Sequence, residues 1–226
     1  FQLPGVIQGY DGFAAAATSP EARAILDEME AHGMVALALF DGGQRHFLTV
    51  GDPVESMDDF NGLRTRVAPE RLFLDIWQAV GANPTPMAYG EVYYALETRT
   101  LDAVEINLTS IESESFYEVA GGVTLTGHYF WPGVMLMNQA RFDGLTEEQQ
   151  DILREAANQI VEPQVMAIAE LDNAVIAKLE ELGVPVIEPD AAFLEQFREA
   201  VNPVVQRYRD SSDLIDAFVA ATSDAD

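Results

Sequence analysis

Apolar and polar positions follow two periods along this chain, and each switch between them marks an element. SPEARAILDEMEAHG (19–33) carries the helical period: Ser19 can cap it, Pro20 suits the first helical position and Gly33 stops it. MVALALF (34–40) is an apolar run of strand length closed by a turn at DGG (41–43), and RHFLTV (45–50) is a second strand. LRTRV (63–67) is strand-like, and PERLFLDIWQAVG (69–81) is helical, with Leu72, Ile76 and Val80 on one face. PTPMA (84–88) is a short extended piece, GEVYYALET (90–98) a short helix and LDAVEI (101–106) a strand. Strand–helix–strand–helix–strand within about forty residues is the mark of a layered α/β domain with parallel pairing.

Further on, SESFYEVAG (113–121) is expected to be another short helix, and VTLTGHYFWPGVMLMN (123–138) a strand that bends at Pro132-Gly133. The longest element starts at Thr146, with Gln149 three residues later as a capping box, and ends at Gly183. Ile152, Ala156, Ile160, Ile168, Leu171, Val175, Leu179 and Leu182 form its apolar stripe. Uninterrupted it would run roughly 50 Å, longer than a small domain is wide, so it is expected to span two domains and to bend or break at Pro163. The tail (184–226) reads as one strand and two or three helices.

Charge narrows the possible functions. The chain has 226 residues, with 38 Asp and Glu against 12 Lys and Arg and a net charge of −26, which argues against nucleic acid and against anionic membrane surfaces. Lys178 is the single lysine, a composition that suits a protein kept soluble in strong salt and is consistent with a halophilic or marine source. Without cysteine there is no disulfide, thiolate catalysis or zinc–thiolate site. No apolar run reaches the roughly eighteen residues of a membrane span. FQLPGVIQGY (1–10) lacks the basic start and apolar stretch of a signal peptide, and the start at Phe suggests a processed or truncated product.

Nucleophilic, metal and nucleotide signatures are missing. There is no G-x-S-x-G and no dinucleotide fingerprint, and His32, His46 and His128 are isolated in sequence, so neither a metal nor a cofactor is expected. Glu105, Glu112 and Glu114 lie beside a strand end, where a solvated acidic surface is the ordinary reading and a carboxylate pair acting on acidic sugars the rival one. Tyr89, Tyr93, Tyr94, Tyr129, Phe130 and Trp131 are mainly core candidates that could also wall a small polar ligand. Arg64 and Arg66 stand two apart in a strand, hence on one face. A buried arginine requires a partner, and its planar fork matches a carboxylate. For Arg66 the partner is either an internal Asp or Glu, the commoner case, or the carboxylate of a ligand.

The order of motifs adds to this. DDFNGLRTRV, AVGANPTPMAYGEVYYALETRTLDAVE, FYEVA, TGH and LTEEQQDIL resemble, in sequence and spacing, the solute-binding proteins of tripartite ATP-independent periplasmic (TRAP) transporters, dicarboxylate-receptor type. The resemblance implies an α/β, periplasmic-binding-protein-like two-domain receptor with a long domain-spanning helix, lacking here the N-terminal part of domain one. Domain one would comprise 1–43 and 132–171, and domain two 44–131 and 172–226. The resemblance also implies a periplasmic, non-enzymatic protein that closes around a small organic acid and hands it to membrane permease subunits, without inserting into the membrane itself. Arg66 falls on the family's carboxylate anchor, Arg45 on an assisting arginine, and Tyr89 on a pocket wall. Glu105 and Asn107 fall at a strand end lining the cleft, with Ile106 where many members place asparagine; Trp131 would help shape the rest. Asn61 stands where the family pattern has lysine. A fragment that binds nothing and is completed by another chain is a third possibility.

Overall fold

The computed structural model describes residues 1–223. In chain order its elements are α1 (Gly9–Ala17), α2 (Pro20–Asp27), β1 (Met34–Thr49), β2 (Arg64–Val67), α3 (Arg71–Ala79), β3 (Asn83–Pro86), α4 (Val92–Glu97), β4 (Ala103–Asn107), α5 (Leu108–Ser113), β5 (Gly122–Thr124), β6 (Phe130–Asn138), α6 (Gln139–Asp143), α7 (Glu147–Gln159), α8 (Val161–Glu181), β7 (Val186–Ile187), α9 (Ala191–Arg209) and α10 (Asp213–Ser223). They divide into two compact units: Phe1–Gly43, Tyr129–Glu170 and Tyr208–Asp226 in unit one, Gln44–His128 and Leu171–Arg207 in unit two. The tail is a correction, because 172–226 was expected to stay together, whereas the chain from Tyr208 belongs with unit one.

Unit two is built on strands in the order β3-β2-β4-β1-β5-β7. The pairs β2·β3, β2·β4 and β5·β7 are parallel, while β1 runs antiparallel to β4 and β5. Period two sorts its two faces. Leu48, Val104 and Ile106 face a core of Leu96, Ile111, Phe116, Val175 and Leu179. Phe47 faces the other side, where its ring lies 5.0 Å from Phe60 and 4.9 Å from Trp77, and Phe60 in turn meets Phe193 and Phe197 from α9. In unit one, β6 pairs with β1, and Phe130 packs with Tyr10 and Phe13 of α1.

Several helix ends follow the caps predicted. Ser19 accepts from Ala22 N, Gly33 adopts φ 72°, and Thr146 and Gln149 form the capping box. Three elements differ. β1 runs unbroken through Asp41–Gly43, where a turn was expected, because the Gln164 side chain pairs with both main-chain groups of Asp41, Asp41 N to Oε1 at 3.0 Å and Nε2 to Asp41 O at 2.7 Å. The 123–138 run breaks over 125–129 instead of at Pro132-Gly133, and Gly127 there takes φ 51°. Residues 113–121 are not one helix; Leu108–Ser113 is helical, and a single 3-10 turn follows at Phe116–Glu118. The long helix separates into α7 and α8 at Ile160, three residues before Pro163, whose missing N–H and ring prevent a continuous ladder.

Candidate functional site

Unit two carries five of the six candidate side chains, four of them on its sheet, and gathers them into two groups. The first is on β2. Arg64 and Arg66 part company: Arg64 is exposed and pairs with Asp102 at 2.7 Å, while Arg66 is buried. Arg66 pairs in register with Val104 of β4, which puts it on the Val104–Ile106 side of the sheet, at the carboxyl ends of the parallel strands. Its Nε and Nη2 donate to the Met87 carbonyl at 3.1 and 3.0 Å, and its guanidinium carbon lies 5.8 Å from the centre of the Tyr89 ring. Tyr89, two-fifths exposed, also meets Phe116 edge-on. The chain after β3 therefore orients the guanidinium with a main-chain oxygen and walls it with an aromatic face.

The second group lies where β1 and β4 pair. Arg45 sits opposite Asn107, and Phe47 opposite Glu105. Arg45 Nε donates to Glu105 Oε2 at 2.7 Å, Nη2 to the Glu105 carbonyl at 2.7 Å, and Nη1 to Asn107 Oδ1 at 3.4 Å. Both charges are buried, Glu105 completely. Arg45 is thus held by an internal carboxylate.

Histidines complete this group, although in sequence they stand isolated. His128 Nε2 is 3.8 Å from Glu105 Oε2, its Nδ1 is 2.7 Å from the Thr126 hydroxyl, and its ring sits edge-on to Trp77. His46 Nδ1 accepts from Gly127 N. Burial opposes ionisation of Glu105, but the Arg45 charge and hydrogen bond, with the His128 ring beside it, prevail and hold its carboxyl at about 2. Burial lowers both histidines, His46 to about 3 with the charges of His128 and Arg45 adding to it. At neutral pH the cluster is therefore one arginine–glutamate pair with two neutral imidazoles. The TGH motif was the available signal for His128; His46 follows Arg45 in the GGQRHF match, with no role attached to it.

Asn107 ends β4 and precedes α5. Beyond Arg45 it bonds to two residues that sequence reasoning passed over, donating from Nδ2 to Thr109 Oγ1 at 2.7 Å and accepting from Ser110 Oγ at 2.8 Å. Trp131, the sixth candidate, belongs to unit one, where it packs on Gly42; a β-carbon there would lie 2.7 Å from the Trp131 carbonyl. No group of His, Asp and Glu among the described residues has the arrangement to hold a metal ion.

A family model described as bacterial extracellular solute-binding protein, family 7, matches residues 1–211. The chain belongs to this family. It is 35% identical over 159 residues to the 2,3-diketo-L-gulonate-binding periplasmic protein of Escherichia coli K12, a match covering 70% of this chain and 48% of that one. It is 32% identical over 191 residues to a solute-binding protein of Chromohalobacter salexigens, covering 84% of this chain and 57% of that protein. The chain thus spans about half the length of the curated relatives it matches. Among solved structures, a TRAP periplasmic solute-binding protein from Bradyrhizobium in complex with α/β-D-galacturonate matches with a TM-score of 0.87 at 35% identity, over 99% of this chain and 73% of that one. Members of the family are solute-binding proteins, and this chain shares its fold with the solved Bradyrhizobium member. No helix of the described residues is long and apolar enough to cross a membrane.

Proposed function

We propose that this protein is the periplasmic substrate-binding receptor of a TRAP transporter, that it captures a sugar acid by its carboxylate, and that it delivers the acid to membrane permease subunits. The observation that carries this reading is the setting of Arg66, a buried guanidinium at the carboxyl end of parallel strands, oriented by the Met87 carbonyl and faced by Tyr89. Such a fork takes a carboxylate through two charge-assisted hydrogen bonds. The bound galacturonate of the Bradyrhizobium relative supports a sugar acid as the ligand class. In this reading Arg45 and Glu105 hold the end of β4 in place and Arg45 adds positive potential, Tyr89 walls the ligand, and Asn107 organises the polar groups that follow it. The rival reading, a carboxylate-pair enzyme on acidic sugars, needs a general acid protonated near neutrality. Glu105, held at about 2 and clamped by Arg45, is a fixed anion instead.

Titration calorimetry of the purified protein against galacturonate, glucuronate, galactonate and C4-dicarboxylates tests the proposal. Saturable binding of one acid class is expected, without turnover. Arg66→Ala should weaken binding about a hundredfold, the worth of charge-assisted hydrogen bonds lost together, while still melting cooperatively. Full affinity in that variant would remove Arg66 from the mechanism.

A further inference from the structure

Tyr89 walls the guanidinium of Arg66, yet its own segment does little to hold the ring. The residue opens a single 3-10 turn, Tyr89–Glu91, between β3 and α4. Its side chain is two-fifths exposed, and among the described residues its hydroxyl makes no hydrogen bond. An exposed tyrosine samples several rotamers unless a neighbour fixes it. Besides the Arg66 guanidinium, the ring has one aromatic neighbour among the described residues, Phe116, with centres 6.4 Å apart and planes at 69°.

Phe116 is itself firmly seated. It is buried in the core that Val104 and Ile106 face, the side of the sheet to which register assigns Arg66. Its ring stacks on Tyr93 of α4, with centres 6.3 Å apart and planes at 23°. The 3-10 turn that Phe116 begins is tied to the same residue a second time, because Glu118 Oε2 accepts from the Tyr93 hydroxyl at 3.0 Å. Ser115 precedes this turn at φ 56°, a left-handed conformation that persists in a non-glycine residue only where its surroundings impose it. That residue separates α5 from the turn and so sets where Phe116 enters the core.

Resting on the receptor reading above, we propose that Phe116 is a positioning residue for the ligand site: held by Tyr93, it fixes the angle of the Tyr89 ring beside the Arg66 guanidinium without meeting the ligand itself. The chain of contact runs from Tyr93 through Phe116 and Tyr89 to Arg66, and no link in it exceeds 6.4 Å. A wall set at one angle before the ligand arrives avoids the cost of ordering that side chain on binding.

The test is a pair of double-mutant cycles, read by calorimetry with whichever of galacturonate, glucuronate and galactonate binds best. It compares the unmodified protein, Phe116→Leu, Tyr93→Leu and Tyr89→Leu with the two double variants that contain Tyr89→Leu. Phe116→Leu should weaken binding about fivefold, the worth of one aromatic pair, and Tyr93→Leu about threefold. Both losses should vanish when Tyr89 is already leucine, because the ring they orient is gone. A residue that acts only through the fold costs affinity equally in both backgrounds; that outcome overturns the proposal, and so does full affinity in Phe116→Leu. Should Phe116→Leu not melt cooperatively, the Tyr93→Leu cycle decides by the same two criteria. If the unmodified protein binds no sugar acid, or if Arg66→Ala binds as well as it does, the receptor reading fails and this inference fails with it.

Discussion

Arg45 and Glu105 place two opposite charges in the core, and the environment of that pair contributes to the acid response of the protein. His46 takes up a proton near 6.5 when unfolded but only near 3 when folded, because burial, then the charges of His128 and Arg45, oppose the imidazolium. Between those values the unfolded chain binds more protons, so the His46 contribution is complete above about 6.5 and is lost progressively as the pH falls toward 3. Glu105, with an ordinary value of 4.5 and a folded value of about 2, contributes stability above 4.5 that is lost as the pH falls toward 2. The two effects share a sign, and His128, also lowered, adds to the first. Urea unfolding at a series of pH values should therefore show stability falling from about pH 6.5 and more steeply below 4.5. In His46→Asn the slope between 6.5 and 4.5 should shrink, and an unchanged slope would mean that His46 does not titrate with unfolding. Of the candidate residues, the arginines and Glu105 were legible from motif spacing. That Arg45 already holds Glu105, and that Asn107 serves Thr109, was not, because those partners lie 60 and 2 residues away and only strand register and the β4–α5 corner join them.

At the scale of elements, local signals were read well where the chain's own caps decide the outcome and poorly where a distant contact does. Ser19, Gly33 and Thr146 act through neighbours three or four residues away, and their helix ends lie where the sequence put them. Asp41-Gly42-Gly43 is turn chemistry by composition, and Asp41 Oδ1 does accept from Gly43 N at 2.8 Å, yet the Gln164 amide 123 residues away keeps the strand extended. LTSIES has β-branched and short polar residues that favour helix weakly; α5 forms because Leu108 and Ile111 are buried. A close approach of the same hidden kind occurs at Gly121, before β5, where a β-carbon would run into the main-chain oxygens of Gly51 and Val50. Neither oxygen can swing aside as a flexible side chain would. Gly121→Ala should therefore destabilise unit two by about 3 kcal/mol, while Gly51→Ala, which meets nothing within 4 Å, should stay within about 0.5 kcal/mol of the unmodified protein in chemical denaturation. Equal behaviour of the two variants would show that the strand approach relaxes freely.

For the whole molecule the governing quantity is the net charge of −26. Self-repulsion on that scale opposes the compact state and is screened once the Debye length falls from about 10 Å at 0.1 M salt to about 3 Å at 1 M. The melting temperature should accordingly rise between 0.05 and 1 M sodium chloride, more than the exposed pairs Arg64–Asp102 and Lys178–Glu112 can offset as they weaken; a falling temperature would make ion pairing the larger effect. Charge sign, absence of thiol chemistry, the α/β class and the family were determined by the sequence itself, because composition, periodicity and ordered motifs are properties of the chain as written. The return of 208–223 to unit one, the continuity of β1 and the capture of Arg45 by Glu105 were decided by the tertiary structure. Each depends on which of many equivalent carboxylates, amides or apolar faces comes within reach, and with 38 acids in the chain only strand register and packing make that choice.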